Sequence, residues 1–179
     1  MEYNMIFAGF GGQGILLAGQ IVAEAGMING KDVTWMPSYG PEMRGGFARC
    51  SVIISDDTIG TPVISTPDVL VAMNQPSLDR FGPEVVSGGT IIYNSSLCKN
   101  APTRDDVTII PIACNELAIS LGQPKVANMT IIGAVMEVTD FFNMDDMKPI
   151  VTERFGSKRP ELIDINLQAI ELGRKEIKK

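Results

Sequence analysis

The chain is 179 residues long, 45% hydrophobic and 20% charged, which is enough sequence and apolar content for one folded domain with its own core. Its net charge of −6 argues against nucleic acid as the main partner, and the absence of histidine excludes Ser-His-Asp and Cys-His catalysis and argues against a zinc site. No apolar run reaches the ~18 residues of a membrane span, and the chain does not begin with a basic segment followed by a long apolar run, so a soluble cytoplasmic protein is expected.

Residues 3–9 read as an apolar strand that feeds directly into a glycine cluster, and residues 14–28 as a first helix. Gly9, Gly11 and Gly14 satisfy G-x-G-x-x-G in the strand-before, helix-after context that motif requires. The N–H groups of residues 11–14, with the helix dipole behind them, are suited to an anion. A turn of this kind also serves simply to pack a first helix tightly onto its strand. Val33–Met36 is a second strand stopped by Pro37, making a βαβ unit whose two strands run parallel. A dinucleotide site would next need an acid at the end of that strand to hold a ribose. The strand instead ends Trp35-Met36-Pro37-Ser38, and Asp32 stands at its other end, which argues against NAD or FAD.

The segment Ser38–Gly46 comes next. Pro41 suits the first position of a short helix, and Gly45 and Gly46 stop it at once. Tyr39, Glu42 and Arg44 are thereby displayed on a glycine-bounded loop, with Arg44 as the anion contact. The alternative is a loop held by a Glu42–Arg44 surface pair. Like the glycine turn, this loop follows the C-terminal end of a strand, where open α/β sheets hold their ligands.

Phe47–Ser55 is strand-like, Asp56-Asp57 a turn, and Thr58–Ser65 a returning strand, which together predict an antiparallel hairpin over residues 47–65. Val69–Met73 is a continuous apolar run suited to a strand buried on both faces. A short helix runs from Gln75 to about Val86, and Thr90–Tyr93 is a second buried strand ending in Asn94 and Ser95. After a polar loop comes the strand Val107–Ile112, and Pro111 means that it sits at an edge or is ending. Ala113–Leu121 is helical. Val126–Val138 is helical and apolar nearly all round, so it is either central or pressed on a partner. With ten methionines in the chain, it predicts an oligomer, either a homodimer or an assembly with other subunits. A helix from Asn143 to before Gly156 and a last one, Glu161–Lys179, complete the order. Cys50, Cys98 and Cys114 form no C-x-x-C, so they read as buried thiols, and no iron–sulfur cluster is expected on this chain alone. The alternation of buried runs and helices predicts a single domain over residues 1–179. Its fold class is α/β: a three-layer Rossmann-like sandwich, mostly parallel, with an antiparallel hairpin.

Two segments carry a family likeness. Gly9-Phe10-Gly11-Gly12-Gln13-Gly14 followed by Leu16, Leu17, Ala18 and Gly19 is one; Tyr39-Gly40-Pro41-Glu42-Met43-Arg44-Gly45-Gly46 is the other. Together they resemble the gamma subunit of 2-oxoacid:ferredoxin (acceptor) oxidoreductases, and the Pro67–Met73 and Gly88–Ile92 runs sit where that family has similar stretches. The likeness covers essentially the whole chain, and the form of the second segment is most similar to the 2-oxoglutarate branch. The resemblance implies an accessory subunit of an enzyme that decarboxylates a 2-oxoacid on thiamine diphosphate. That enzyme passes electrons through iron–sulfur clusters to ferredoxin and makes an acyl-CoA. It also implies alpha and beta subunits carrying the thiamine site, a ferredoxin-like delta subunit carrying the clusters, and for this chain a part in closing over coenzyme A. On this basis the cofactor-facing residues are Gly9, Gly11, Gly12, Gln13, Gly14, Tyr39, Glu42 and Arg44. No catalytic or metal-binding residue is assigned, and the chain alone is expected to be inactive and to bind no cofactor. A chain without histidine or clustered cysteine agrees, since cofactors carry such chemistry. The competing readings are a stand-alone NAD- or FAD-dependent oxidoreductase and a purely structural scaffold subunit with an empty glycine turn.

Overall fold

The computed structural model describes residues 1–39, 46–156 and 159–177. The apolar run Met5–Ala8 lies in strand β1 (Glu2–Phe10), whose side chains alternate between two cores: Met5 and Phe7 enter one, Ile6 and Ala8 the other. Strand β4 (Val69–Ala72) is buried along its whole length, and β5 (Thr90–Asn94) nearly so, as their unbroken apolar sequences require. Helix α1 (Ile15–Ile28) leads from β1 to β2 (Asp32–Tyr39), and β3 (Phe47–Ser55) follows. With β6 (Thr108–Ile112) these form one sheet in the order β2-β3-β1-β4-β5-β6.

Helices cover both faces. One face carries α1, α3 (Cys114–Ser120), α4 (Ala127–Thr139), α5 (Met144–Gly156) and α6 (Glu161–Ile177). The other carries the shorter α2 (Gln75–Phe81) and a 3-10 turn, Gly82–Glu84. The result is the expected three-layer α/β sandwich, with β1, β4, β5 and β6 mutually parallel. No described helix is long and apolar enough to cross a membrane.

The antiparallel part is arranged differently from expectation. Thr58–Ser65 forms no strand; Ile59 and Ile64 from this stretch instead pack on the second core. The partner of β3 is β2, in a register running from Asp32 opposite Ser55 to Tyr39 opposite Ala48. On its other side β3 pairs antiparallel with β1, so it is inserted between the two strands of the βαβ unit. β2 keeps the direction of β1 without touching it. Nor does Pro37 stop β2: it lies within the strand opposite Cys50, and an edge strand tolerates the missing donor. Pro111 does lie on the opposite edge strand, as expected.

The apolar helix α4 is central. Met129, Ile131, Ile132, Ala134 and Val135 are at most 1% exposed. It crosses α6 so closely that a Cβ on Gly133 would collide with the carbonyl of Ile170, and one on Gly173 with the carbonyl of Thr130. The surface that suggested a homodimer is thus consumed inside the chain, and that ground for an oligomer falls away.

Candidate functional site

β1 ends at Phe10, and the chain turns through four residues before α1 begins at Ile15. Gln13 N donates to Phe10 O (3.1 Å), closing the turn, and Gly11 N donates to Gly46 O (3.2 Å), tying it to the approach to β3. Gly14 stands at the N-cap of α1 with φ 73°, in the left-handed region, and a Cβ there would lie 2.5 Å from Asn128 Nδ2. Both facts demand glycine. No side chain caps α1, and its first turn holds no acid. Its leading N–H groups have no intrahelical acceptor, and the positive end of its dipole is left for something outside the helix.

The predicted site residues divide into three groups. Gly11, Gly12 and Gly14 line open space beside the turn. Gly9 packs against Ile15, and Gln13, which also lines the second of two clefts beside the turn, is anchored inward: its Oε1 accepts from Phe10 N (2.7 Å) and Asn74 Nδ2 (3.0 Å), and its Nε2 donates to Met73 O (3.1 Å). Tyr39 is the last residue of β2, while Glu42 and Arg44 lie outside the described residues.

A cleft flanks the turn on each side. One, of about 330 Å³, runs between Leu16 and Leu17 of α1 and Phe47 and Ala48 of β3, and its walls are largely apolar. The other, of about 270 Å³, lies where the N-terminal ends of α1, α4 and α6 converge. Lys125 and Arg159 stand at this second cleft, and neither takes part in an ion pair among the described residues. None of the described residues lining it is acidic. Two buried amides also line it: Asn128 donates to Gly14 O (3.3 Å) and Asn166 to Leu162 O (2.7 Å). Their Oδ1 atoms accept no hydrogen bond among the described residues. Helix ends, two cations and unpaired amide oxygens together suit a phosphorylated ligand that also carries hydroxyl or amide donors.

Sequence reasoning missed Lys125, Asn128, Arg159 and Asn166. One signal was present: α4 begins after Pro124-Lys125-Val126 with no Ser, Thr or Asp in the capping position, and no side chain caps it. The cysteines are buried thiols, as expected. Burial pushes Cys50 and Cys114 up to about 12 and Cys98 to about 11. All three stay protonated at neutral pH, and Cys98 sits in the opposite core from the other two.

The family model for pyruvate ferredoxin/flavodoxin oxidoreductase matches residues 4–176. Ketoisovalerate oxidoreductase subunit VorA of Methanothermobacter marburgensis is 36% identical over 173 residues, covering 96% of this chain and 36% of that protein. The chain thus spans about a third of the length of that relative. 2-oxoglutarate synthase subunit KorC of the same organism is 33% identical over 184 residues, 99% of this chain and 97% of the relative. Among solved structures, the gamma subunit of a keto/oxoacid ferredoxin oxidoreductase from Geobacter sulfurreducens superposes with a TM-score of 0.82 at 30% identity, covering 97% of both chains. With the family match running nearly end to end and the fold shared with a gamma subunit of known structure, the chain belongs to the pyruvate ferredoxin/flavodoxin oxidoreductase family.

Proposed function

We propose that the chain is the gamma-type component of a thiamine-diphosphate-dependent 2-oxoacid:ferredoxin oxidoreductase acting on 2-oxoglutarate, and that it holds a phosphate-bearing part of coenzyme A at the glycine turn. The end-to-end likeness to a 2-oxoglutarate synthase subunit supports the substrate. In the reaction, 2-oxoglutarate loses carbon dioxide, two electrons pass to two ferredoxins, and the remaining acyl group is joined to coenzyme A. Thiamine diphosphate and the iron–sulfur clusters supply the redox steps from alpha, beta and delta partner subunits. This chain's own contribution is binding: helix-end N–H groups and the cations Lys125 and Arg159 hold an anion, with Arg44 as a further contact.

The observation that carries this reading is the cleft where three helix N-termini meet two cations, with no acidic residue among the described residues that line it. The stand-alone dinucleotide enzyme is disfavoured by the strand end that lacks an acid and by the Gln13 side chain in the crevice between β1 and β4. The test uses the assembled enzyme with Lys125→Gln, Arg159→Gln and Arg44→Ala made singly. Losing one charge-assisted contact is worth about 1.5–3 kcal/mol, so each should raise the KM for coenzyme A by about one to two orders of magnitude. The KM for 2-oxoglutarate and subunit assembly should not change. If coenzyme A dependence is parental in all three, the scaffold reading stands instead.

A further inference from the structure

We propose that Gln13 is a positioning residue that fills the switch-point crevice of the sheet with protein and so presets the glycine turn toward the Lys125–Arg159 cleft. The ligand part of this inference rests on the function proposed above; the positioning part does not.

The topology defines the crevice. β1 and β4 are parallel neighbours, the helix after β1 lies on one face, and the helix after β4 lies on the other. Open sheets bind ligands at such a point, beyond the strand ends, and a dinucleotide places its pyrophosphate there against glycine backbone. Here the glycine space is taken by the chain itself. A Cβ on Gly9 would lie 2.8 Å from Gln13 Oε1 and 2.7 Å from Ile15 Cγ1.

The amide is engaged with both sides of the crevice. Oε1 accepts from the N–H of Phe10, which ends β1, and from Asn74 Nδ2; Nε2 donates to Met73 O, just past β4. Asn74 is 3% exposed and uses its own Oδ1 to accept from Ser77 N (2.9 Å), capping α2. A chain of amides therefore links the start of α2 to the end of β1 through Gln13. With the turn fixed from below, the open sides of Gly12 and Gly14 are held against the second cleft.

Only a group that accepts at one end and donates at the other fits. An ionised carboxylate would set an oxygen against Met73 O, whereas a protonated carboxyl would reproduce all three contacts. Gln13→Glu is therefore a pH-reversible break, and Gln13→Ala a permanent one.

The experiment has two readouts. In the full chain, hydrogen exchange is followed at residues 10–17. Gln13→Ala should lower protection there by about tenfold or more, as expected when side-chain hydrogen bonds worth about 1.4 kcal/mol or more are lost. Gln13→Glu should do the same at neutral pH and regain protection as pH falls through about 4, where a glutamic acid protonates. In the assembled enzyme, the KM for coenzyme A should rise about tenfold with kcat and the KM for 2-oxoglutarate unchanged, and should recover in Gln13→Glu at the lower pH. Unchanged protection at residues 10–17 in both variants overturns the positioning role, whatever coenzyme A does. A loosened turn with a parental coenzyme A KM overturns the link to the ligand. If Lys125→Gln and Arg159→Gln are also parental, the coenzyme A reading falls with it. Should Gln13→Ala fail to fold, Gln13→Glu prepared at the lower pH carries the same test.

Discussion

Two strand-to-helix turns lie side by side on one edge of the sheet and are finished in opposite ways. At β4–α2, Asn74 accepts from Ser77 N, a proline occupies the first turn, and the helix start is closed by its own sequence. At β1–α1, a left-handed glycine takes the capping position, with neither a side-chain cap nor an acid nearby. Helix ends cost stability when left unsatisfied. The two helix starts thus differ in chemistry, and the cations Lys125 and Arg159 line the cleft beside the open one. On the function proposed above, the contrast separates a structural turn from a binding turn.

The largest expected effect comes from closing the open turn with a side chain. Gly14→Ala places an L residue in the left-handed region, costing about 1–2 kcal/mol, and drives its methyl into Asn128. A total loss of about 3 kcal/mol is expected in urea unfolding. Combining it with Asn128→Ala should return the steric part, about 1 kcal/mol by double-mutant cycle. Additivity of the two changes would mean that they do not touch.

The capped turn should respond less. Asn74→Ala removes the cap of α2 and one partner of Gln13, and about 1–2 kcal/mol should be lost. Asn74→Asp keeps the acceptor and loses the donor, so it should recover the cap contribution but not the Gln13 contact. An Asp variant as unstable as the Ala variant would show that the Gln13 bond, not the cap, dominates. At the second cleft, Lys125→Gln and Arg159→Gln should leave unfolding stability within about 0.5 kcal/mol, since neither is in an ion pair among the described residues. A large loss in either would place that cation in the structure rather than at the ligand.

The smallest effect lies at the far edge of the sheet. Asp56 is held at about 2, from an ordinary 3.8, chiefly by Lys31 and by the N-terminal amine. A depressed folded-state value means the contribution is present above the unfolded value and lost as pH falls from about 4 to about 2. Because the pair is exposed, the change should be slight and weaker in high salt. Asp56→Asn should flatten that part of the acid unfolding profile. An unaltered profile would mean the pair contributes nothing.

Much of the fold was legible in the residues. Val69–Ala72 and Thr90–Tyr93 announce strands buried on both faces because such burial leaves no polar position. Gly9, Gly11 and Gly14 announce a tight turn, and the structure requires glycine at Gly14 for its left-handed backbone and at Gly9 for a close approach. The place of β3 was not legible. Its own pattern says strand but not which neighbours it pairs with, and Thr58–Ser65 was apolar enough to pass for a partner. Helix Ala127–Thr139 declared itself apolar all round, yet only its crossing with α6 at Gly133 and Gly173 decided between core and interface.

The candidate site divides the same way. Sequence by itself determined the turn, its glycines and the missing ribose acid, since each depends on chemistry within a few residues. Tertiary structure alone decided that Gln13 faces inward to Met73 and Asn74, sixty and more positions away, and that Asn128 reaches Gly14 across 114 positions. It also brought Lys125 and Arg159 to the same cleft. Local backbone preference is written residue by residue, whereas convergence of helix ends depends on how whole layers pack, and no short window of sequence contains that information.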